Sequence, residues 1–311
     1  MGLKFFDLFA GIGGFRLGME RAGHQCVGSC EWDKYARETY KNNFGSYPEY
    51  DDAKDLQPKS LPYFDVLCAG FPCQAFSIAG KRLGFEDTRG TIFFEIARIA
   101  KEKRPPYLFL ENVRGLLSHD KGRTFDTIIS TLDEMGYDAE WQVLNSKYFV
   151  PQNRERIFIV GHLRDRHTRQ IFPLGDFDSE TNQSKSKEKV GVVNDKGTLR
   201  GVENSTCIDS NYWKGCDNHA QRTLIYTAQV NQNMKQKVQT RDNTWTLSTS
   251  ANDFGVMEGQ KIRRLTPKEC ERLQGFPDNW TIGSDTQRYK QCGNAVTVPV
   301  VEYIARELKI G

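Results

Sequence analysis

The sequence predicts an α/β protein, a doubly wound sheet with a second, smaller domain, and three observations carry that expectation. Residues 4–8 are a short hydrophobic run that passes through a glycine-rich turn at 9–14 into an amphipathic segment. Strand, glycine turn and helix in that order are how α/β folds bring backbone N–H groups close to a ligand. Apolar runs at 64–68 and 107–110 then end near residues capable of chemistry, Cys73 after the first and Glu111 after the second. Finally, residues 173–262 turn rich in Asn, Gln, Ser, Thr and Gly, a change that marks a separate, loop-rich module. The 311 residues are enough for one large domain and a smaller one, with boundaries at 1–172, 173–289 and a returning segment at 290–311.

Composition narrows the class. With 38% hydrophobic and 27% charged residues the chain reads as a soluble globular protein, and no apolar run approaches the roughly 18 residues a membrane span requires. The first residues enter a strand without a signal-peptide pattern, so a cytoplasmic location is expected. The eight cysteines form no C-x-x-C pair and the five histidines do not join them at zinc-finger spacing, which favours reduced thiols and no metal. A net charge of +3 confines any nucleic-acid surface to a local patch.

In order, the first helix carries Phe15, Leu17 and Met19 and closes at Gly23, a suitable C-cap. The G-x-G-G turn departs from the dinucleotide fingerprint because Arg16 stands where a third glycine is needed, which counts against a dehydrogenase. A second strand, 25–29, ends in Cys30-Glu31-Trp32-Asp33, setting a carboxylate about 20 residues after the turn, where ribose hydroxyls are bound in such folds. Trp32 offers a flat face for a base or simply packs. Asp51 and Asp52, before the third strand, either accept from an exocyclic amine or cap a turn.

Phe71 precedes a proline and is pushed toward an extended conformation, which places Cys73 just past the carboxyl end of a strand, where open sheets bind ligands. The alternative is a buried, inert cysteine. Residues 74–90 follow without periodicity, long enough for a lid, and Lys81, Arg82 and Arg89 suit phosphates. A helix from Thr91 with Ile92, Ile96, Ile99 and Ala100 on one face stops before Pro105-Pro106. Glu111, at the end of the next strand, is expected to favour its protonated form through desolvation and so to donate a proton to a base. A helix at 124–135 leads on to Arg154 and Arg156, which an extended chain points to one side, toward an anion or a carbonyl. In the polar module Asn231, Gln232, Asn233, Gln236, Gln239 and Arg241 suit base edges, with Thr246 a further candidate contact. Thr266-Pro267-Lys268-Glu269 reads as a capping box with proline at the first helical position, opening a helix that ends at Gly275. A last helix is predicted over 298–309.

These pieces, in this order, resemble the DNA cytosine-5 methyltransferases of the small bacterial restriction-modification type. The motifs are DLFAGIGG (7–14), EW (31–32), GFPCQAFS (70–77), ENV (111–113), QNRER (152–156), RRLTPKECERLQGFP (263–277) and GNAV (293–296). The resemblance spans nearly the whole chain apart from 173–262. It implies an S-adenosylmethionine-dependent, Rossmann-like domain, a target-recognition domain and a flipped-out cytosine in double-stranded DNA. In that reading Cys73 adds to C6, Glu111 acts at N3, Arg156 steadies the carbonyl side and Arg154 makes a neighbouring contact. The cofactor would meet Phe9, Gly11, Ile12, Gly13, Glu31, Trp32, Asp52, Pro72, Ile92, Asn294 and Val296. A monomer is expected, and a companion restriction endonuclease would be encoded elsewhere. Two rivals stand beside this reading. An RNA cytosine methyltransferase is disfavoured by the large polar module, and a catalytically dead DNA-binding paralogue by the presence of Cys73, Glu111 and Arg156.

Overall fold

The run Lys4–Leu8 forms strand β1 and Gln25–Cys30 forms β2, joined by helix α1 (Gly14–Arg21). In the computed structural model residues 2–72, 92–174 and 265–310 are described in full, and within 190–264 only the backbone of the strands is described. The chain divides into two compact units. The first comprises Met1–Asn145, Glu155–Asp176 and Ala295–Gly311, the second Ser146–Arg154 and Phe177–Asn294.

The first unit is built on a six-stranded sheet. After α2 (Lys34–Phe44) come β3 (Val66–Gly70), α3 (Ile92–Lys103), β4 (Tyr107–Val113), α4 (Arg123–Glu134), β5 (Tyr137–Asn145) and β7 (Glu155–Leu163), the two-residue β6 (Gln152–Asn153) lying between the last two. The strand order is β2-β1-β3-β4-β7-β5. The first four strands are parallel, and β7 runs antiparallel to both β4 and β5.

Alternation along each strand gives the sheet two faces, both covered by helices. On one, Phe6, Leu8, Leu67, Ala69, Leu108 and Leu110 bury against Ile96, Ile99 and Ala100 of α3 and Ile128 and Leu132 of α4. Each such leucine, isoleucine or phenylalanine contributes about 1.5–3 kcal/mol when fully buried. On the other, Phe15 of α1 meets Phe109 edge-on at 5.1 Å, and Gly18 lets α1 approach Val301 of α7 (Val298–Ala305), where a Cβ would fall 2.7 Å from that side chain. This is the doubly wound arrangement.

The final helix ends at Ala305, short of the predicted Lys309. Residues beyond it are taken by tertiary partners: the Tyr107 hydroxyl donates to the Lys309 carbonyl at 2.6 Å and Ile310 bridges to Thr168.

In the second unit, β8 (Val190–Val193), β9 (Thr198–Val202), β11 (Arg222–Ala228), β12 (Trp245–Thr246) and β13 (Gln260–Arg264) form an antiparallel sheet ordered β12-β9-β8-β11-β13, and β10 (Ser205–Thr206) pairs with β6. This sheet was not predicted from the sequence. Its strands, such as the four-residue β8 and the two-residue β12, are short and did not stand out among the polar residues around them. The capping box at Thr266 and Glu269 opens α5 (Pro267–Leu273) as the sequence predicts. Helix α6 (Asp285–Asn294) was not predicted, because it has few apolar residues and buries Gln291 and Gly293 alongside Tyr289 and Cys292. Among the described residues no helix is long and apolar enough to cross a membrane, and no group of three or more His, Cys, Asp or Glu could hold a metal ion.

Candidate active site

The carboxyl edge of the first sheet gathers the candidate residues of the first unit. Glu111 sits at the end of β4, opposite Phe158 of β7, and Arg156 lies two residues before Phe158. In an antiparallel pair that diagonal relation puts both side chains on one face. Arg156 Nε lies 3.2 Å from Glu111 Oε1, with both side chains largely buried. The apolar run leading to Glu111 therefore describes only part of its surroundings, since a guanidinium lies beside it.

The same strand end holds the approach to Cys73. Phe71 N donates to the Glu111 carbonyl at 3.3 Å, and Asn112 Nδ2 donates to the Phe71 carbonyl at 2.8 Å. Both backbone polar groups of Phe71 are thus bound to β4, which fixes the chain direction two residues before Cys73. Asn112 is buried, and the sequence reading gave it no role; its place inside ENV was the only signal. A Cβ at Gly70 would lie 3.4 Å from Glu111 Oε2, which sets the backbone of β3 directly beside that carboxylate. Pro72 is exposed. Cys73, Lys81, Arg82, Arg89, Arg241 and the proposed lid at 74–90 lie outside the described residues.

A second cluster surrounds the glycine turn. Phe9, Gly11 and Gly13 all have positive φ, 64°, 55° and 84°, which is strained for a phenylalanine and natural for glycine. Gly11 faces open space, whereas a Cβ on Gly13 would lie 2.2 Å from the Phe44 ring. The Ile12 side chain is buried. Glu31, also buried, accepts from Gly11 N at 2.7 Å through Oε2 and from Asp33 N at 2.7 Å through Oε1. Burial pushes its carboxyl upward, and the N–H groups of Asp33, Gly11 and Trp32 pull it back. Beside it Trp32 is 76% exposed, so packing does not account for that side chain.

The other expected contacts are placed as follows. Asp52 Oδ1 accepts from Lys54 N at 3.0 Å, so the turn-capping role holds for that oxygen. Ile92 is half-buried at the start of α3. Val296 Cγ1 lies 3.7 Å from where a Gly70 Cβ would be. In the second unit Asn294 is exposed at the end of α6, and the backbone of Thr246 pairs with Thr198. Arg154 also belongs to that unit, where it is buried and donates to the Gly293 carbonyl at 3.2 Å. Arg154 falls between β6, which ends at Asn153, and β7, which begins at Glu155.

Asp7, in β1 just before the turn, was not singled out by sequence reasoning. Its Oδ2 accepts from Arg16 N at 3.2 Å, and its Oδ1 is buried without a hydrogen-bond partner. Burial raises its pKa to about 8, against the opposing pull of Arg16. The folded chain therefore keeps a proton that the unfolded chain releases near pH 4, so stability declines from about pH 4 to about pH 8 and is flat above. Asp7→Asn removes this dependence. Urea unfolding across that range should show the variant gaining on the wild type by a few kcal/mol as pH rises. Parallel profiles would refute the assignment.

Comparison with known proteins gives a consistent result. The family model described as C-5 cytosine-specific DNA methylase matches residues 3–310. The type II methyltransferase M.HhaI of Haemophilus parahaemolyticus is 41% identical over 322 aligned positions, covering 98% of this chain and 93% of that protein. M1.ScrFI of Lactococcus lactis subsp. cremoris is 44% identical, covering 98% and 77%. Among solved structures, DNMT2 of Spodoptera frugiperda superposes with a TM-score of 0.68 at 20% identity, covering 96% of this chain and 97% of that one.

Proposed function

The chain belongs to the C-5 cytosine-specific DNA methylase family, and on that premise we propose that Cys73 is its nucleophile, Glu111 its acid at N3 of the cytosine, and Arg156 the cation that steadies both Glu111 and the base. The enzyme methylates C5 of cytosine in DNA. The observation that carries the assignment is the Glu111–Arg156 pair at the strand end to which the backbone leading to Cys73 is tied.

The residues around the glycine turn fit S-adenosylmethionine. Gly11 leaves open space for a ligand to approach the backbone, Glu31 is held for ribose hydroxyls and Trp32 presents a free face for adenine. When bound there, this cofactor supplies an electrophilic methyl group. Asp52, Pro72, Ile92, Asn294 and Val296 complete the proposed set.

Cytosine C5 is a poor nucleophile until electron density is pushed onto it. The Cys73 thiolate forms a bond to C6, and the C5–C6 π electrons shift toward C5 and the N3 side of the ring. Glu111 stabilises that shift by giving N3 a proton or a hydrogen bond. Once C5 is methylated, its hydrogen leaves as a proton, and the electron pair left behind re-forms the double bond and expels Cys73. A thiol of ordinary pKa near 8.5 is only a few per cent ionised at neutral pH, and a cation beside such a thiol raises that share.

Sequence choice belongs to the second unit, whose polar side chains suit base edges, with Arg241 and Thr246 as contacts and Lys81, Arg82 and Arg89 on phosphates. Arg154 is assigned a neighbouring contact. The names of the relatives favour a modification enzyme that protects a DNA site from a companion endonuclease.

A duplex carrying 5-fluorocytosine at the target tests the covalent step. Fluorine cannot leave C5 as a proton, so the adduct should persist through denaturing electrophoresis, require cofactor and map to the peptide holding Phe71 to Ser77. Turnover on ordinary DNA without trapping would contradict the covalent route.

A further inference from the structure

We propose that Arg37 is a positioning residue for the adenosine end of the cofactor, holding the Glu31–Trp32 segment and the Asp51–Asp52 segment at a fixed separation. The inference rests on the reading of Glu31, Trp32 and Asp52 given above. Arg37 lies in the first turn of α2, a helix capped by the Asp33 side chain, which accepts from Tyr35 N and Ala36 N. From there its guanidinium gathers carbonyls from two different segments. Its NH1 donates to the Glu31 carbonyl at 2.8 Å and the Tyr50 carbonyl at 3.0 Å, its NH2 to the Pro48 carbonyl at 3.4 Å, and it pairs with Asp51.

These partners bracket the proposed ligand contacts. The Glu31 carbonyl is the last backbone acceptor before Trp32, and Asp51 immediately precedes Asp52. The segment from Gly45 to Asp52 contains no strand or helix of its own. It is tied to the end of β2 by the bridge of Tyr50 to Cys30, in which Glu31 N donates to the Tyr50 carbonyl at 3.1 Å and Tyr50 N to the Ser29 carbonyl at 3.2 Å, and by Glu49, whose Oε2 accepts from Ser29 N at 2.7 Å and Ser29 Oγ at 2.9 Å. The Tyr50 carbonyl therefore takes both the bridge hydrogen bond and one from Arg37. A guanidinium can do this because its five donors lie in a rigid plane, whereas a lysine ammonium is a point charge that cannot meet all these acceptors at once. The Arg37 side chain is 19% exposed and Asp51 78% exposed, so the carbonyl contacts are the sheltered part of the network and the ion pair the solvated part.

The consequence is selective. Ribose and adenine are remote from the methyl group that reacts, so an interaction that places their partners affects binding equally in ground and transition states. Loss of such an interaction raises KM and leaves kcat in place.

The test uses the full-length enzyme with Arg37→Gln, Arg37→Lys and Trp32→Ala, S-adenosylhomocysteine as the calorimetric probe, and steady-state kinetics with cofactor and DNA varied separately. For Arg37→Gln the Kd for the probe and the KM for cofactor should rise about tenfold, the effect of losing one or two charge-assisted hydrogen bonds. Arg37→Lys should fall between that and wild type. In both, kcat at saturating cofactor and the KM for DNA should stay within about twofold, the split expected of lost uniform binding. Unchanged probe affinity in folded Arg37→Lys and Arg37→Gln would overturn the proposal, as would a parallel rise in the KM for DNA with a fall in kcat. Should Arg37→Gln not fold, Arg37→Lys decides alone by the same criteria. Trp32→Ala separates the two levels of the argument. If it leaves probe affinity unchanged, the adenosine site itself is misplaced; if it weakens binding about tenfold, as loss of a stacked base predicts, while the Arg37 variants do not, only the role of Arg37 fails.

Discussion

Cys73→Ser is expected to lose methyl transfer by three or more orders of magnitude while still binding DNA. A serine hydroxyl is scarcely ionised at neutral pH and is a hard, weak nucleophile toward C6, whereas a thiol is partly thiolate and intrinsically reactive. The substitution is nearly isosteric and leaves phosphate and base-edge contacts untouched, so a gel-shift assay should report duplex affinity close to wild type. Tritium transfer from labelled cofactor measures the loss. Retention of full turnover by Cys73→Ser would place the nucleophile elsewhere.

Glu111→Gln carries the second largest effect. The amide keeps the volume and can still accept from Arg156 Nε, but it cannot give a proton to N3. Turnover at saturating substrates should fall by about 10²–10⁴-fold, the usual contribution of a positioned acid or base. Unfolding should change little, since the amide oxygen preserves a hydrogen bond to Arg156. Arg156→Met makes the contrasting variant: it strands a buried carboxylate, for which the expected loss is about 3–5 kcal/mol of stability. If Glu111→Gln turns over at the wild-type rate, the acid at N3 is another group.

The relation between these two residues shows where sequence reading stops. Glu111 was legible as the carboxylate ending a buried strand, and Arg156 as a cation in an extended run. Nothing local said that they touch. That follows from β7 entering the sheet antiparallel beside β4, which sets Phe158 opposite Glu111 and Arg156 diagonally from it. Nor did anything local show that Arg154 donates to the Gly293 carbonyl, 139 residues away in the chain.

Local signals were sufficient wherever the determining interactions are close in the chain. Gly11 and Gly13 were read from a turn that requires positive φ, Thr266 and Glu269 from a capping box spanning three residues, and α3 from apolar residues three and four apart. The ordered motifs placed the chain in its family before any fold was available. Tertiary structure decided what depends on partners distant in sequence. Asn112 anchors Phe71 across 41 residues, Glu31 reaches Gly11 across 20, and Arg37 joins the end of one strand to a segment with no regular structure. It also decided how far the Asp7 carboxyl is shifted, because its burial and its contact with Arg16 N exist only in the folded chain. Turn conformation, capping and helical periodicity are fixed by the chemistry of a few adjacent residues; strand register, burial and the meeting of side chains are fixed only when separate segments pack.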